Sequence, residues 1–172
     1  MIWTVPDLDI SSAGGGLRRM MDRFLEEGTL TGDPEEDKFL REHPEAALLG
    51  LLFDQRVRAE YAFMGPKRLF DRLGHLDMAR IAEMELGELS ALFAQPLAVH
   101  RFTNMMAKHT QKVARHLVDH YQGEVVRLWN DGADVATLHK RLLALPGFGR
   151  GKAAKIKYVL HFLGYRDFSD ES

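Results

Sequence analysis

The sequence predicts an all-α protein, a single domain of two lobes. Three observations point there. Apolar residues recur at helical spacing along most of the chain, strand-like alternation is scarce, and 172 residues fit one domain or two small lobes sharing a core. Residues 1–10 form the one candidate extended piece. Ser11 through Gly16 reads as a flexible joint, followed by a helix from about Leu17 to Glu27. After a loop at 28–34, Asp33-Pro34-Glu35-Glu36 has the marks of a helix start: a cap, proline at the first position and acids in the first turn. Pro44-Glu45 opens a helix through Phe53 that is apolar nearly all round, as expected of a central buried helix. The next carries Tyr61, Phe63, Leu69 and Phe70, with Gly65-Pro66 expected to kink or divide it. Shorter helices are expected at 77–83 and 87–94, then a long one at 99–121, one at 123–130, and a final pair. The chain divides into an acidic N-terminal extension (1–43), a helical core (44–134) and that final pair (135–164).

Composition excludes several classes of function. No apolar run approaches the roughly 20 residues that cross a bilayer, and Met1 to Asp7 lacks the basic start and apolar core of a signal peptide, so a cytoplasmic location and no membrane partner are expected. Without cysteine there is no disulfide, thiolate zinc site or cysteine-held iron–sulfur cluster. The formal net charge of −2 hides an asymmetry. Residues 97–165 hold eleven bases and four acids, a net +7, whereas residues 1–96 hold eleven bases and eighteen acids, a net −7. Such a split suggests one face meant for an anion and another meant to stay off it, although unevenly charged solvated helices would give the same count.

The most informative stretch runs from Leu142 to Ile156. Pro146 ends the preceding helix, because its ring disfavours helical geometry at Leu145. Gly147 and Gly149 permit positive φ and close backbone approach, and Phe148 between them is placed to plug two helices together. The next helix starts near Arg150, so its free N–H groups point outward and form a main-chain anion site, suited to a phosphate diester and blind to base sequence. Arg150, Lys152 and Lys155 in its first turns add charge. A plain αα-turn capped by glycine is the alternative; the bases that follow favour nucleic acid.

Leu145-Pro146-Gly147-Phe148-Gly149 resembles the L-P-G-x-G hairpin of the helix–hairpin–helix superfamily of base-excision DNA glycosylases, the group containing endonuclease III. Asn104 to Val125, ending Gly123-Glu124-Val125, is similar to the long helix and G-E-V turn of that group, and Leu48 to Gln55 resembles the apolar helix and glutamine that open its core. The resemblance spans about residues 45–165 in the family's order. It implies a two-lobed helical fold with a helix–hairpin–helix motif binding double-stranded DNA, and contacts from Pro146 through Lys152 including Gly151. A potassium or sodium ion is implied on the carbonyls of Leu145 and Gly147, and no other cofactor. Gln55 falls where the family places a residue that fills the gap left by a flipped base, and Asn104 and Met105 fall on a minor-groove loop.

The same resemblance bears on catalysis. Removing a base needs a pocket and a carboxylate that stabilises the cationic sugar or activates water. Relatives that also cut the strand carry a Schiff-base lysine where this chain has Gly151; Lys152 is one place on, turned about 100° around the helix. A lyase is therefore disfavoured. Asp170 is the nearest match to the family's aspartate, but it stands in a terminal acidic run of the kind that frays into solvent; Asp54, beside Gln55, is the alternative. Among the remaining features, His116 and His120 have metal-compatible spacing near His109 but lack a third strong ligand. Met20, Met21, Met105 and Met106 read as core filler, and Trp3 and Trp129 as core or as the wall of a base pocket. The expectation is a monomeric, monofunctional DNA glycosylase; a catalytically silent DNA-binding module and a hairpin serving protein contacts remain open.

Overall fold

A computed structural model describes residues 4–171, and these are all-helical, with nine α-helices, one 3-10 turn and no strand. Trp3 lies outside the described residues. Local chemistry accounts for most boundaries. Helix α1 (Gly15–Glu27) stops at Gly28, which is left-handed at φ 80°. Helix α2 (Pro34–Glu42) begins as its sequence indicates, the Asp33 carboxylate accepting the N–H of Glu35. In α3 (Pro44–Phe53) every residue from Ala46 to Phe53 is buried, so it has no solvent face and serves as the central strut.

Helix α4 (Ala59–Leu73) runs unbroken through Pro66, contrary to the expected kink. Gly65 lies so close to the Phe53 ring and the Val99 carbonyl that a Cβ there would sit 2.9 Å from each. Burial of both Gly65 and Pro66 against these neighbours holds the helix across the missing hydrogen bond. Helices α5 (Met78–Glu83) and α6 (Leu86–Ala94), capped by Asp77 and Glu85, pack on α7 (Thr103–Tyr121). The helix expected at 123–130 is only a 3-10 turn, Val125–Leu128. Gln122 and Gly123 are both left-handed (φ 57° and 75°), and the chain must turn again at Gly132 before α8, which leaves too few residues for a full helix. Helices α8 (Val135–Leu143) and α9 (Arg150–Phe162) close the chain.

The N-terminal extension is an integral part of the fold. Phe24 of α1 meets Phe162 of α9 edge to face at 5.7 Å, and the Glu60 carboxylate of α4 receives Arg19 (2.6 and 3.1 Å) and Arg23 (2.8 Å) from α1. Ahead of α1, the Pro6 carbonyl accepts a hydrogen bond from His161 Nε2 at 2.7 Å, while His161 Nδ1 accepts the N–H of Phe168. That second bond and the full burial of Phe168 anchor the C-terminal segment, which the sequence had suggested would fray. Burying a phenylalanine stabilises by about 1.5–3 kcal/mol, enough to outweigh the entropy of ordering a few tail residues only because hydrogen bonds accompany it. Trp129, buried and 5.8 Å from the Tyr165 ring, is core. Met20, Met21 and Met106 are buried, whereas Met105 is exposed. Among the described residues no helix is long and apolar enough to cross a membrane.

Candidate functional site

Two apolar plugs set the α8–α9 turn: Leu145 and Phe148 are buried, and the Leu145 carbonyl accepts the Phe148 N–H at 3.2 Å. Gly147 between them is required twice over. Its φ of +83° is left-handed, and a Cβ would lie 2.8 Å from Leu52 Cδ1 and 2.9 Å from His109 Nδ1. Gly149 is the N-cap of α9 and offers no side-chain acceptor. Gly149, Arg150 and Gly151 are exposed, and no atom stands within 4 Å of where a Cβ would be on either glycine. The first N–H groups of α9 therefore face open space with the positive end of the helix dipole behind them. Pro146 is half-buried against the turn.

Helix α9 also reaches across to the end of α3, about a hundred residues away in sequence. Lys152 Nζ donates to the Leu52 carbonyl (2.6 Å), to Gln55 Oε1 (2.9 Å) and, more weakly, to the Gly147 carbonyl (3.4 Å). One turn on, Lys155 Nζ is 3.5 Å from Asp54 Oδ2. Burial pushes the Lys152 amine down to about 8, the nearby Asp54 charge opposing and the Lys155 charge adding to the shift. The loop between α3 and α4 is pinned from behind by His100, which is fully buried and whose Nε2 donates to the carbonyls of Phe53 (2.9 Å) and Gln55 (3.1 Å). Its Nδ1 accepts the Phe102 N–H, so both ring nitrogens are engaged only in the neutral form; burial likewise lowers its pKa.

A third helix contributes charge. His109 of α7 abuts Gly147, and its Nδ1 is buried without a hydrogen-bond partner. Burial lowers its pKa, and so do the positive charges of Lys152, Lys112 and Lys108; exposed Lys112, three residues on, shares the His109 face of α7. Asn104 and Met105, also exposed, stand at the start of α7; Asn104 shares a shallow groove with Lys108 and α6. Around the turn stand the Lys152 and Lys155 ammonium groups of α9, the N-terminus of that helix, the Gln55 amide and the Asp54 carboxylate, with exposed Lys112 on the adjoining face of α7. Such a set is chemically suited to a polyanion and carries no means of reading a base sequence.

Not every expected residue joins this group. Asp170 is exposed and lines a depression of about 340 Å³ with Leu8, Asp9, Ser12 and Lys157, and none of Asp54, Gln55 or Lys152 borders it. A depression of about 550 Å³ lined by His43, Phe70, His75, Asp77 and their neighbours is separate as well. The carbonyls of Leu145 and Gly147 suit a monovalent cation poorly, because one accepts the Phe148 N–H and the other faces the Lys152 ammonium. His116 and His120 stack on each other at 4.4 Å, and among the described residues no three metal-ligating side chains converge. Comparison with known protein families, characterised proteins and solved structures finds no match for this chain.

The sequence alone points to Gln55, Asp54, Lys152 and Lys155 as candidates and to His109 only as a neighbour of the His116–His120 pair; it does not single out His100, Lys108 or Lys112. The position of His100 carries no local signal, since its partners lie 45 and 47 residues upstream. Lys108, His109 and Lys112 do carry one, because residues three and four apart share a helix face.

Proposed function

We propose that this chain binds duplex DNA through the phosphate backbone and removes a damaged base as a monofunctional N-glycosylase of the helix–hairpin–helix type, in a two-lobed fold. The single observation that carries the reading is the junction of α9 with the α3–α4 loop: Lys152 on Gln55 and Lys155 beside Asp54 join the turn that suits a phosphate to the amide and carboxylate that suit an opened duplex. In this reading a phosphate sits on the open N–H groups at Arg150 and Gly151, with Lys108 and Lys112 flanking the duplex. Gln55 enters the stack where the damaged nucleotide has left it.

Hydrolysis breaks the bond from C1′ to the base nitrogen, adds the oxygen of water to C1′ and returns a proton to the departing base. The chain's part is a carboxylate that steadies the cationic sugar and aligns the water. Asp54 fills that role better than Asp170, because Asp54 shares the face with Gln55 and is largely shielded from solvent, its side chain 10% exposed. The amine of Lys152 is held by three oxygen acceptors and exposed Gly151 carries no side chain, so strand cleavage by a lysine is not expected. A second reading, a binding module without chemistry, is favoured by one observation: Lys155 already neutralises Asp54 at 3.5 Å.

Single-turnover assays on duplexes carrying one lesion each separate the two. Breaks that show only after alkali, and that Asp54→Asn abolishes, support the glycosylase. Tight binding with no breaks on any lesion supports the module.

A further inference from the structure

The amide of a glutamine has two ends of opposite hydrogen-bonding character, and at Gln55 one end is already engaged. A lysine ammonium has only donors, so the atom it meets at 2.9 Å must be the carbonyl oxygen Oε1. The amide's orientation is thereby determined by chemistry. That ammonium cannot follow a wandering side chain, because it is also anchored on the backbone carbonyls of Leu52 and Gly147. The Gln55 backbone is held in turn, its N–H on the Phe53 carbonyl at 2.7 Å and its carbonyl on His100 Nε2. Gln55 is half-buried, and among the described residues no acceptor takes a hydrogen from its Nε2, which is not among the buried unpaired atoms. With its oxygen turned to the Lys152 ammonium, the end of the amide that remains without a partner among the described residues is the N–H₂ group, a pair of donors.

We propose that the Lys152–Gln55 pair selects duplexes in which the base left unpaired is cytosine, so that the damaged base removed is a modified guanine. The proposal rests on the reading of Gln55 as the residue that faces the orphaned base. The centre of the pairing edge decides the selection. In cytosine the central ring nitrogen is an acceptor with a carbonyl oxygen next to it, and both suit an N–H₂ donor. Adenine also has an acceptor at the centre but a C–H in place of the carbonyl. Thymine and guanine also carry carbonyl oxygens on this edge, but only beside a central N–H, which opposes a second donor placed there. The order of preference is therefore cytosine, then adenine, then thymine and guanine. The normal partner of cytosine is guanine, so the substrate class is an oxidised or alkylated guanine rather than uracil or a damaged pyrimidine.

The test needs no catalysis. Binding is measured by fluorescence anisotropy at one fixed salt concentration on five duplexes: four with a tetrahydrofuran abasic analogue opposite A, C, G or T, and one fully paired. The duplex with the analogue opposite cytosine binds tightest, by about tenfold over guanine or thymine. Lys152→Met frees the amide to rotate; it weakens binding throughout and cuts the cytosine preference to less than about twofold. Gln55→Glu replaces the outward donor with an acceptor and moves the preference to guanine, whose central edge is a donor; loss of a structural contact alone would not redirect it. Binding of all four abasic duplexes with equal affinity overturns the proposal and leaves the DNA reading standing. A cytosine preference that survives unchanged in either variant overturns it as well. If the wild-type protein binds none of the five, the DNA reading itself falls and this proposal falls with it.

Discussion

Two charged clusters lie on either side of the α3–α4 loop, and they are built in opposite ways. At Glu60 a buried carboxylate is surrounded by Arg19 and Arg23 at hydrogen-bond distance and Arg58 at 3.8 Å, and Arg23 in turn donates to the Leu30 carbonyl. Its acceptor oxygens are taken, and the cluster fastens α1 to α4. At Lys152 a half-buried ammonium sits among oxygen acceptors, but around it lie unused groups: the first N–H groups of α9, the amide nitrogen of Gln55 and the orphaned Nδ1 of His109. A saturated cluster has nothing to offer a ligand and reads as scaffold. A cluster with unused polar groups, some of them facing open space, reads as a candidate site.

The largest effect expected from breaking this contrast is Glu60→Ala, which leaves two arginines facing a vacated, largely buried site. It should destabilise the protein by about 2–3 kcal/mol in urea unfolding, while leaving the groups around Lys152 in place. Next comes Gly147→Ala, where positive φ and contact with Leu52 and His109 together cost about 2 kcal/mol. Its DNA affinity falls along with its stability. Gly151→Ala sharpens the comparison most, because stability and binding should move apart. The added methyl meets no atom of the protein, so stability holds or rises by about 0.5–1 kcal/mol. Binding nonetheless weakens, since the methyl stands beside the open N–H groups.

The smallest effect is one of pH, and the two clusters have opposite signs. Burial raises the Glu60 pKa, but hydrogen bonds from Arg19 and Arg23 outweigh it and hold the carboxyl near 2, below its ordinary 4.5. Its contribution to stability is therefore complete above about pH 4.5 and is lost as pH falls toward 2. The Lys152 amine is held near 8, below its ordinary 10.5. Its burial penalty is complete below pH 8 and is relieved as pH rises to 10.5, because the unfolded chain then binds more protons. Urea unfolding across pH should show wild type losing ground to Glu60→Gln in acid and gaining on Lys152→Met in base.

How much was legible in the sequence followed from how far each signal reaches. The Asp33-Pro34 start of α2 and the plugged turn at Leu145 to Gly149 are written in adjacent residues, and both stand where expected. The seam at Glu60 joins residues 37 and 41 apart, and nothing near any of them marks the pairing. Phe168 illustrates the same limit: an acidic tail looked set to fray, yet one aromatic ring finds a fully buried place beside His161. Asp54 and Gln55 were named as neighbours in sequence, but their convergence with Lys152 and Lys155 depends on how α3 packs against α9.

The most direct test of the central claim is the salt dependence of duplex binding by the full-length protein. If the exposed face of α7 and α9 grips phosphates, log affinity falls linearly with log salt with a slope of about −3 to −5, and the slope shrinks by about 1 in Lys112→Ala. An affinity that barely changes between low and physiological salt, or a slope indifferent to Lys112, would contradict the account.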